Sequence, residues 1–225
     1  MVLLRHGKSI ANEGQSFGGW DDVPLAGTGI VQAQQAGEQL KTLNLRFGVC
    51  FTSVLRRAIW TAWYCLDSLD QPWVPCLPDW RLNERHYGAL QGMKKAEVAA
   101  IHSGEQVRLW RRSFKERPPL LQPGDSRDSF GAPPYAGLCR NEVPLGESLQ
   151  DTSARVLAHW NDVVCPAMQL GQNVLVVAHG NSIRALLMAL EHITERDIAE
   201  VDVPNGFPII FDRRAGTLDF VRRNP

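Results

Sequence analysis

The sequence predicts an α/β protein: a single three-layer domain with a mainly parallel central sheet flanked by helices. Three observations predict it. Two short apolar runs rich in β-branched residues, Val2-Leu3-Leu4 and Asn173-Val-Leu-Val-Val-Ala178, each lead into a His-Gly pair, at His6-Gly7 and His179-Gly180. Between them apolar residues recur every three to four positions, the period of amphipathic helices. Strands alternating with helices pack as a parallel sheet with helices on its faces.

Taken in order, Val2-Leu3-Leu4 is too short for a helix and reads as a buried strand. A helix is predicted from Thr28, with Ile30, Ala33, Ala36, Leu40 and Leu43 along one face. Val49-Cys-Phe51 is a weaker strand candidate, followed by a helix from about Leu55 to Leu69 through Ile59, Ala62 and Leu66. Ser148-x-x-Asp151 has the form of a capping box, opening a helix that continues through Val156, Trp160 and Val164. The strand at 173–178 follows. Thr194-x-x-Asp197 opens a shorter helix, and Ile209-Ile-Phe211 is a last strand candidate.

The stretch from Arg117 to Gly146 is rich in Pro and Gly and has little periodicity; a long irregular connection in a compact domain points to a functional segment or to disorder. No shift of composition divides the chain. It reads as one domain over 1–225, with an inserted lid or substrate-binding region at about 85–146.

The 225 residues suffice for a sizeable core, and 44% hydrophobic with 21% charged residues is an ordinary globular composition. Lys+Arg and Asp+Glu both number 24, so the net charge is zero. That balance argues against nucleic acid or a membrane surface as partner, which call for a basic excess. Five cysteines without Cys-x-x-Cys or Cys/His spacing fit buried free thiols in a reducing compartment. With no apolar run of about 18 residues and no secretory leader ahead of Arg5-His6-Gly7, a cytoplasmic protein is expected.

The chemistry gathers at the two histidines. If their strands are parallel neighbours, His6 and His179 project into one cleft beyond the carboxyl ends of the sheet, where ligands bind in such folds. Neutral His6 can attack phosphorus through one nitrogen while a backbone carbonyl holds the other N–H, and Arg5 beside it offsets charge on the transferring group. Ser9 and Asn12 follow on the next turn. Arg56-Arg57 stand near a helix start, where an arginine grips phosphate, one of the pair being a solvated residue. In Trp80-Arg-Leu-Asn-Glu-Arg-His-Tyr-Gly88, Glu84 is either a general acid/base or a structural partner of Arg85. Lys95, Arg111 and Arg112 are further cations that could equally be exposed helix residues.

Together these segments resemble the cofactor-dependent phosphoglycerate mutases of the histidine phosphatase superfamily. The resemblance runs from Leu3 to about Phe211. It rests on Leu4-Arg-His-Gly-Lys-Ser-Ile-Ala-Asn12, Phe17-Gly-Gly-Trp20, Thr52-Ser-Val-Leu-Arg-Arg-Ala58, Trp80 to Gly92, Trp110-Arg-Arg-Ser-Phe114 and Ala178-His-Gly-Asn-Ser182. It implies the phosphoglycerate mutase-like fold and the interconversion of 3-phosphoglycerate and 2-phosphoglycerate in glycolysis and gluconeogenesis. His6 would be the phosphorylated nucleophile, primed by 2,3-bisphosphoglycerate, and Glu84 the acid/base. Arg5, Arg57 and His179 would surround the phosphoryl group, with Ser9, Asn12, Gly18, Gly19, Gly180 and Asn181 lining its pocket. Arg85, His86, Tyr87, Lys95, Arg111 and Arg112 would hold the rest of the substrate, and Arg56 would be the solvated arginine. No metal is expected, and self-association as a homodimer or homotetramer is.

Two departures from the family pattern carry expectations. Gly18-Gly19 stands where a Thr-Gly pair is usual, which removes a hydroxyl contact to phosphate. The family also runs further past the last strand, so an end at Pro225 implies a more open site and a raised share of phosphatase activity. A histidine phosphatase acting on another small phosphate ester and a non-catalytic phosphoanion-binding protein are the alternative readings. A metal-dependent mutase would need an Asp/His ligand cluster, and none is evident in the sequence.

Overall fold

The computed structural model describes residues 1–213 and 220–223. A six-stranded mixed sheet forms its centre, in the order β3-β2-β4-β1-β5-β6. The strands are β1 (Val2–Arg5), β2 (Val49–Thr52), β3 (Cys76–Pro78), β4 (Val174–Ala178), β5 (Pro208–Arg213) and β6 (Phe220–Arg222). β3, β2, β4 and β1 run parallel, while β5 and β6 are antiparallel additions at one edge.

Alternation along the strands divides the core in two. Leu3, Phe51, Val176 and Ile209 face α6 (Leu149–His159), a π-helical turn at Trp160–Val164, α7 (Cys165–Gln169) and α8 (Gly180–Leu190). Val2, Leu4, Cys50, Leu175 and Val177 face α2 (Gly27–Thr42) and α3 (Arg56–Ser68). The strands are therefore apolar on both faces, which is why they read as continuous hydrophobic runs.

Helix α2 begins one residue before the predicted start, and α3 matches its predicted span within a residue at each end. Ser148 caps α6 as expected, its hydroxyl accepting from Asp151 N at 3.1 Å while the Asp151 carboxylate accepts from Ser148 N at 2.9 Å. The helix predicted through Val164 is interrupted by the π turn at Trp160–Val164. The short helix after Thr194 is a 3₁₀ turn, Asp197–Glu200. Pro225 lies outside the described residues.

Within 85–146, α4 (Lys95–His102) and α5 (Gly104–Arg112) pack around Phe17, Leu90, Val98, Val107 and Trp110. Further along, Tyr135 and Val143 pack with Trp20, and Arg127 donates to the carbonyls of Ala89 and Gln91. The 117–146 stretch thus braces the back of the loops that carry Glu84 and Trp20.

Candidate active site

Register places the two histidines. β1 and β4 pair with Arg5 opposite Ala178, so the next residue on each strand, His6 and His179, leaves the sheet side by side. His6 N donates to Ala178 O at 3.0 Å, and the imidazole centroids lie 4.9 Å apart. Gly7 is required here: a Cβ on it would sit 2.1 Å from Gly29 O, because the loop after His6 presses against the first turn of α2.

His6 is 3% exposed and its Nδ1 lies 2.7 Å from Gly7 O. Nδ1 therefore carries the proton and Nε2 keeps the lone pair. Burial, then the charges of Arg57 and Arg5, hold the imidazole well below its ordinary pKa and hence neutral. His179 is fully buried and held well below its ordinary pKa by the same burial and by Arg57. Its Nε2 lies 2.7 Å from Ser53 Oγ, and its buried Nδ1 has no protein partner.

Arg57, on the first turn of α3, is 2% exposed and donates to Gly19 O and Asp21 O, each at 2.7 Å. Burial brings its pKa down to about 10, so it remains a cation at neutral pH. Gly19 has φ +51°, and a Cβ there would meet the Gln91 side chain. Arg56 forms an exposed pair with Asp22 at 2.9 Å and is the solvated member of the two, as expected. Arg5 donates to Val203 O at 2.5 Å. A Cβ at Gly180 would lie 3.5 Å from the Arg5 guanidinium and 3.7 Å from Glu84 Oε2, so glycine lets both groups approach the first turn of α8.

Glu84 is buried, and its Oε1 accepts from Arg85 N at 2.8 Å, Asn181 N at 3.1 Å and Asn181 Nδ2 at 2.9 Å. Three donors on one oxygen leave Oε2 as the reactive edge of the carboxyl group. Ser9 and Asn12 bond one another in a capping box at the start of the short helix α1 (Ile10–Glu13), which leaves the Asn12 NH₂ as a donor toward an anion.

The cavity they enclose has a volume of about 120 Å³. Arg5, His6, Ser9, Asn12, Gly18, Gly19, Arg57, Glu84, Tyr87, Lys95, Arg111, Arg112, Gly180 and Asn181 all line it, with His179 packed behind His6. Two expected binding residues are elsewhere. Arg85 is fully buried and spends its guanidinium on Ser113 O, Arg111 O and Asn181 Oδ1, fixing α5 to α8. His86, also buried, accepts from Gly88 N at 3.0 Å and is off the cavity wall. None of residues 117–146 lines the cavity.

Sequence reasoning passed over Arg184, Asp202 and Val203, which also line the wall, and Ser53. Arg184 carried a readable signal: it stands three residues after Asn181 on α8, and its Nη1 meets Asn181 Oδ1 at 3.0 Å. Among the described residues no group of three or more His, Cys, Asp or Glu is arranged to hold a metal ion, and no helix is long and apolar enough to cross a membrane.

A neutral imidazole with a free Nε2, flanked by a second imidazole, buried arginines and a carboxyl group at the ends of parallel strands, has the chemistry to serve as a histidine nucleophile in phosphoryl transfer. The chain belongs to the histidine phosphatase superfamily (branch 1), whose family model matches residues 1–224. Among solved structures it is similar to a mycobacterial glucosyl-3-phosphoglycerate phosphatase solved with VO3, at 25% identity over 99% of this chain and 95% of that one, with a TM-score of 0.74. The protein YhfR of Bacillus stearothermophilus matches at 21% identity over 98% and 93% of the two chains, with a TM-score of 0.73. The alpha-ribazole phosphatase of Shigella flexneri matches at 22% identity over 99% and 93%, with a TM-score of 0.68.

Proposed function

We propose that this enzyme interconverts 3-phosphoglycerate and 2-phosphoglycerate through a phosphohistidine at His6. One observation carries the reading. The cavity that holds the transfer centre also presents Lys95 and Arg111, cations with no carboxylate partner among the described residues and no share in holding His6. A site that only removes phosphate from an otherwise neutral ester has no use for a second set of cations. A phosphoglycerate has a carboxylate to place on it.

In the proposed cycle His6 Nε2 attacks phosphorus, the N–P bond forms as the P–O bond to the donor breaks, and Glu84 Oε2 gives its proton to the leaving oxygen. The reverse transfer places the phosphoryl group on the acceptor hydroxyl, whose proton returns to Glu84. Arg5, Arg57 and His179 Nδ1 hold the equatorial oxygens throughout. As priming donor, 2,3-bisphosphoglycerate would supply the first phosphoryl group, and Arg5 and Arg57 with Lys95, Arg111 and Arg112 are the residues that would hold its charges.

The test is an enolase-coupled assay with 3-phosphoglycerate, run with and without 2,3-bisphosphoglycerate, beside a phosphate-release assay. Isomerisation that depends on the bisphosphate supports the mutase. Phosphate release without isomerisation supports a phosphatase, the second reading, which is favoured by the phosphatases among the structures this chain resembles.

A cytoplasmic setting belongs to the same proposal and suits the five free cysteines. So does self-association as a dimer or tetramer. Exposed Trp60, Trp63, Trp73 and Leu77 beside edge strand β3 would be covered by it. Sedimentation velocity that finds only monomer would remove that part.

A further inference from the structure

The segment that carries Glu84 has no regular structure of its own. It follows a 3₁₀ turn at Trp80–Leu82 and precedes another at Gly88–Leu90, and residues 82–86 are buried. Buried carbonyls outside helix and sheet need donors from elsewhere. Here one side chain donates to three of them, those of Arg81, Asn83 and Glu84, and Ser182 Oγ adds a second bond to Asn83 O at 2.6 Å.

Arg155, on α6, is 9% exposed and absent from the cavity wall. All five of its N–H groups are used. Nε donates to Glu147 Oε1 at 2.7 Å, and Nη2 to Glu147 Oε2 at 2.8 Å and to Glu84 O at 2.9 Å. Nη1 donates to Arg81 O and Asn83 O, both at 2.8 Å. Glu147 completes the clamp: its Oε2 also accepts from His86 N at 2.8 Å, and its own N–H donates to His86 O at 2.8 Å. Trp20 Nε1 adds a second donor to Glu84 O at 2.7 Å, and the Arg155 guanidinium lies over the Trp20 ring.

We propose that Arg155, oriented by Glu147, is a positioning residue for Glu84, fixing the backbone on both sides of the acid/base so that Oε2 meets the leaving oxygen. The inference rests on the acid role of Glu84 proposed above. The planar fork of arginine is what the task requires, since an ammonium cannot hold three carbonyls and a carboxylate at once. The pair is off the cavity wall, so its loss should act on proton transfer and leave substrate affinity nearly unchanged.

The test separates positioning from general damage by the leaving group. Arg155→Lys, Arg155→Met and the reference variant Glu84→Gln are assayed on 3-phosphoglycerate, whose leaving oxygen needs a proton, and on the first-turnover burst of dinitrophenolate from 2,4-dinitrophenyl phosphate, whose leaving group departs as a stable anion before any acceptor must be deprotonated. For the Arg155 variants, kcat on phosphoglycerate should fall roughly 10- to 100-fold, the scale of a displacement of about an ångström in a catalytic group. KM should stay within about twofold and the rate of the dinitrophenolate burst should be nearly unchanged. Equal losses on both substrates, or no loss on either, overturn the proposal while leaving Glu84 as the acid. Equal losses in Glu84→Gln overturn the acid assignment and the brace with it. Should circular dichroism find both Arg155 variants unfolded, Glu147→Gln takes their place, because it keeps the side-chain volume and loses only the charge that orients Arg155.

Discussion

The hydroxyl of Ser53 lies 2.7 Å from His179 Nε2 while its oxygen accepts the N–H of Leu55 at 3.2 Å. A hydroxyl has one proton to give, and here the imidazole nitrogen is its acceptor. The imidazole proton is thereby assigned to Nδ1, the buried atom with no protein partner. In the proposed cycle that N–H is the donor His179 would offer to a phosphoryl oxygen while remaining uncharged.

Ser53→Ala should release that tautomer. With one neutral hydrogen bond worth about 1 kcal/mol, kcat should fall by about fivefold to tenfold and KM should change little. Steady-state kinetics check the split, and an unchanged kcat would mean that His179 keeps its tautomer by another route.

His6→Ala should abolish covalent capture. Intact-mass measurement after incubation with 2,3-bisphosphoglycerate should find one phosphoryl adduct on the wild type and none on the variant. An adduct that persists in His6→Ala would move the nucleophile elsewhere.

Lys95 should set the alkaline limb of kcat/KM. Burial, reinforced by Arg111 and Arg5, brings its pKa down to about 8. The ammonium is present below that value and is lost as the pH rises through it, taking an anion contact with it. Lys95→Arg should abolish the limb, measured as kcat/KM between pH 6.5 and 9.5.

Acid should destabilise the fold well before carboxylates titrate. Burial holds His6, His86 and His179 below the ordinary imidazole value, His86 at about 3. Below pH 6.5 the unfolded chain takes up protons that the folded chain refuses, so stability falls as the pH drops, by about 1.4 kcal/mol per pH unit for each group. Urea midpoints should decline from pH 6.5 to 4.5, and His86→Gln should lessen the slope by one proton's share. A flat profile would contradict the buried neutral histidines.

The meeting of His6 and His179 was legible because the information is local: an apolar run marks each strand, and the histidine just beyond marks its end. Choosing Arg57 over Arg56 came from the family motif, and the pair of Arg56 with Asp22 accounts for it. The clamp was not legible. Glu147 and Arg155 are eight residues apart, and their targets at 81–86 lie some seventy residues upstream, so only the packing of α6 under that segment reveals them. That Arg85 and His86 lie off the cavity wall was hidden for a related reason: their side chains are taken up by Arg111 O and Asn181 in one case and by Gly88 N in the other, contacts set by the packing. β3 was missed because Cys76-Leu-Pro78 is short and ends in proline, which marks an edge strand only once its neighbour is known.

The pairing of Arg5 with Ala178 has a consequence for how this chain could vary. Surface loops between β1 and β4 that touch neither histidine could be lengthened without moving the imidazoles relative to one another, since that spacing follows from the pairing of the two strands. A slip of a single residue between those strands would turn every side chain of one of them to the other face of the sheet. An insertion within Val2–Arg5 or Val174–Ala178 is thus one that would part the two imidazoles directly.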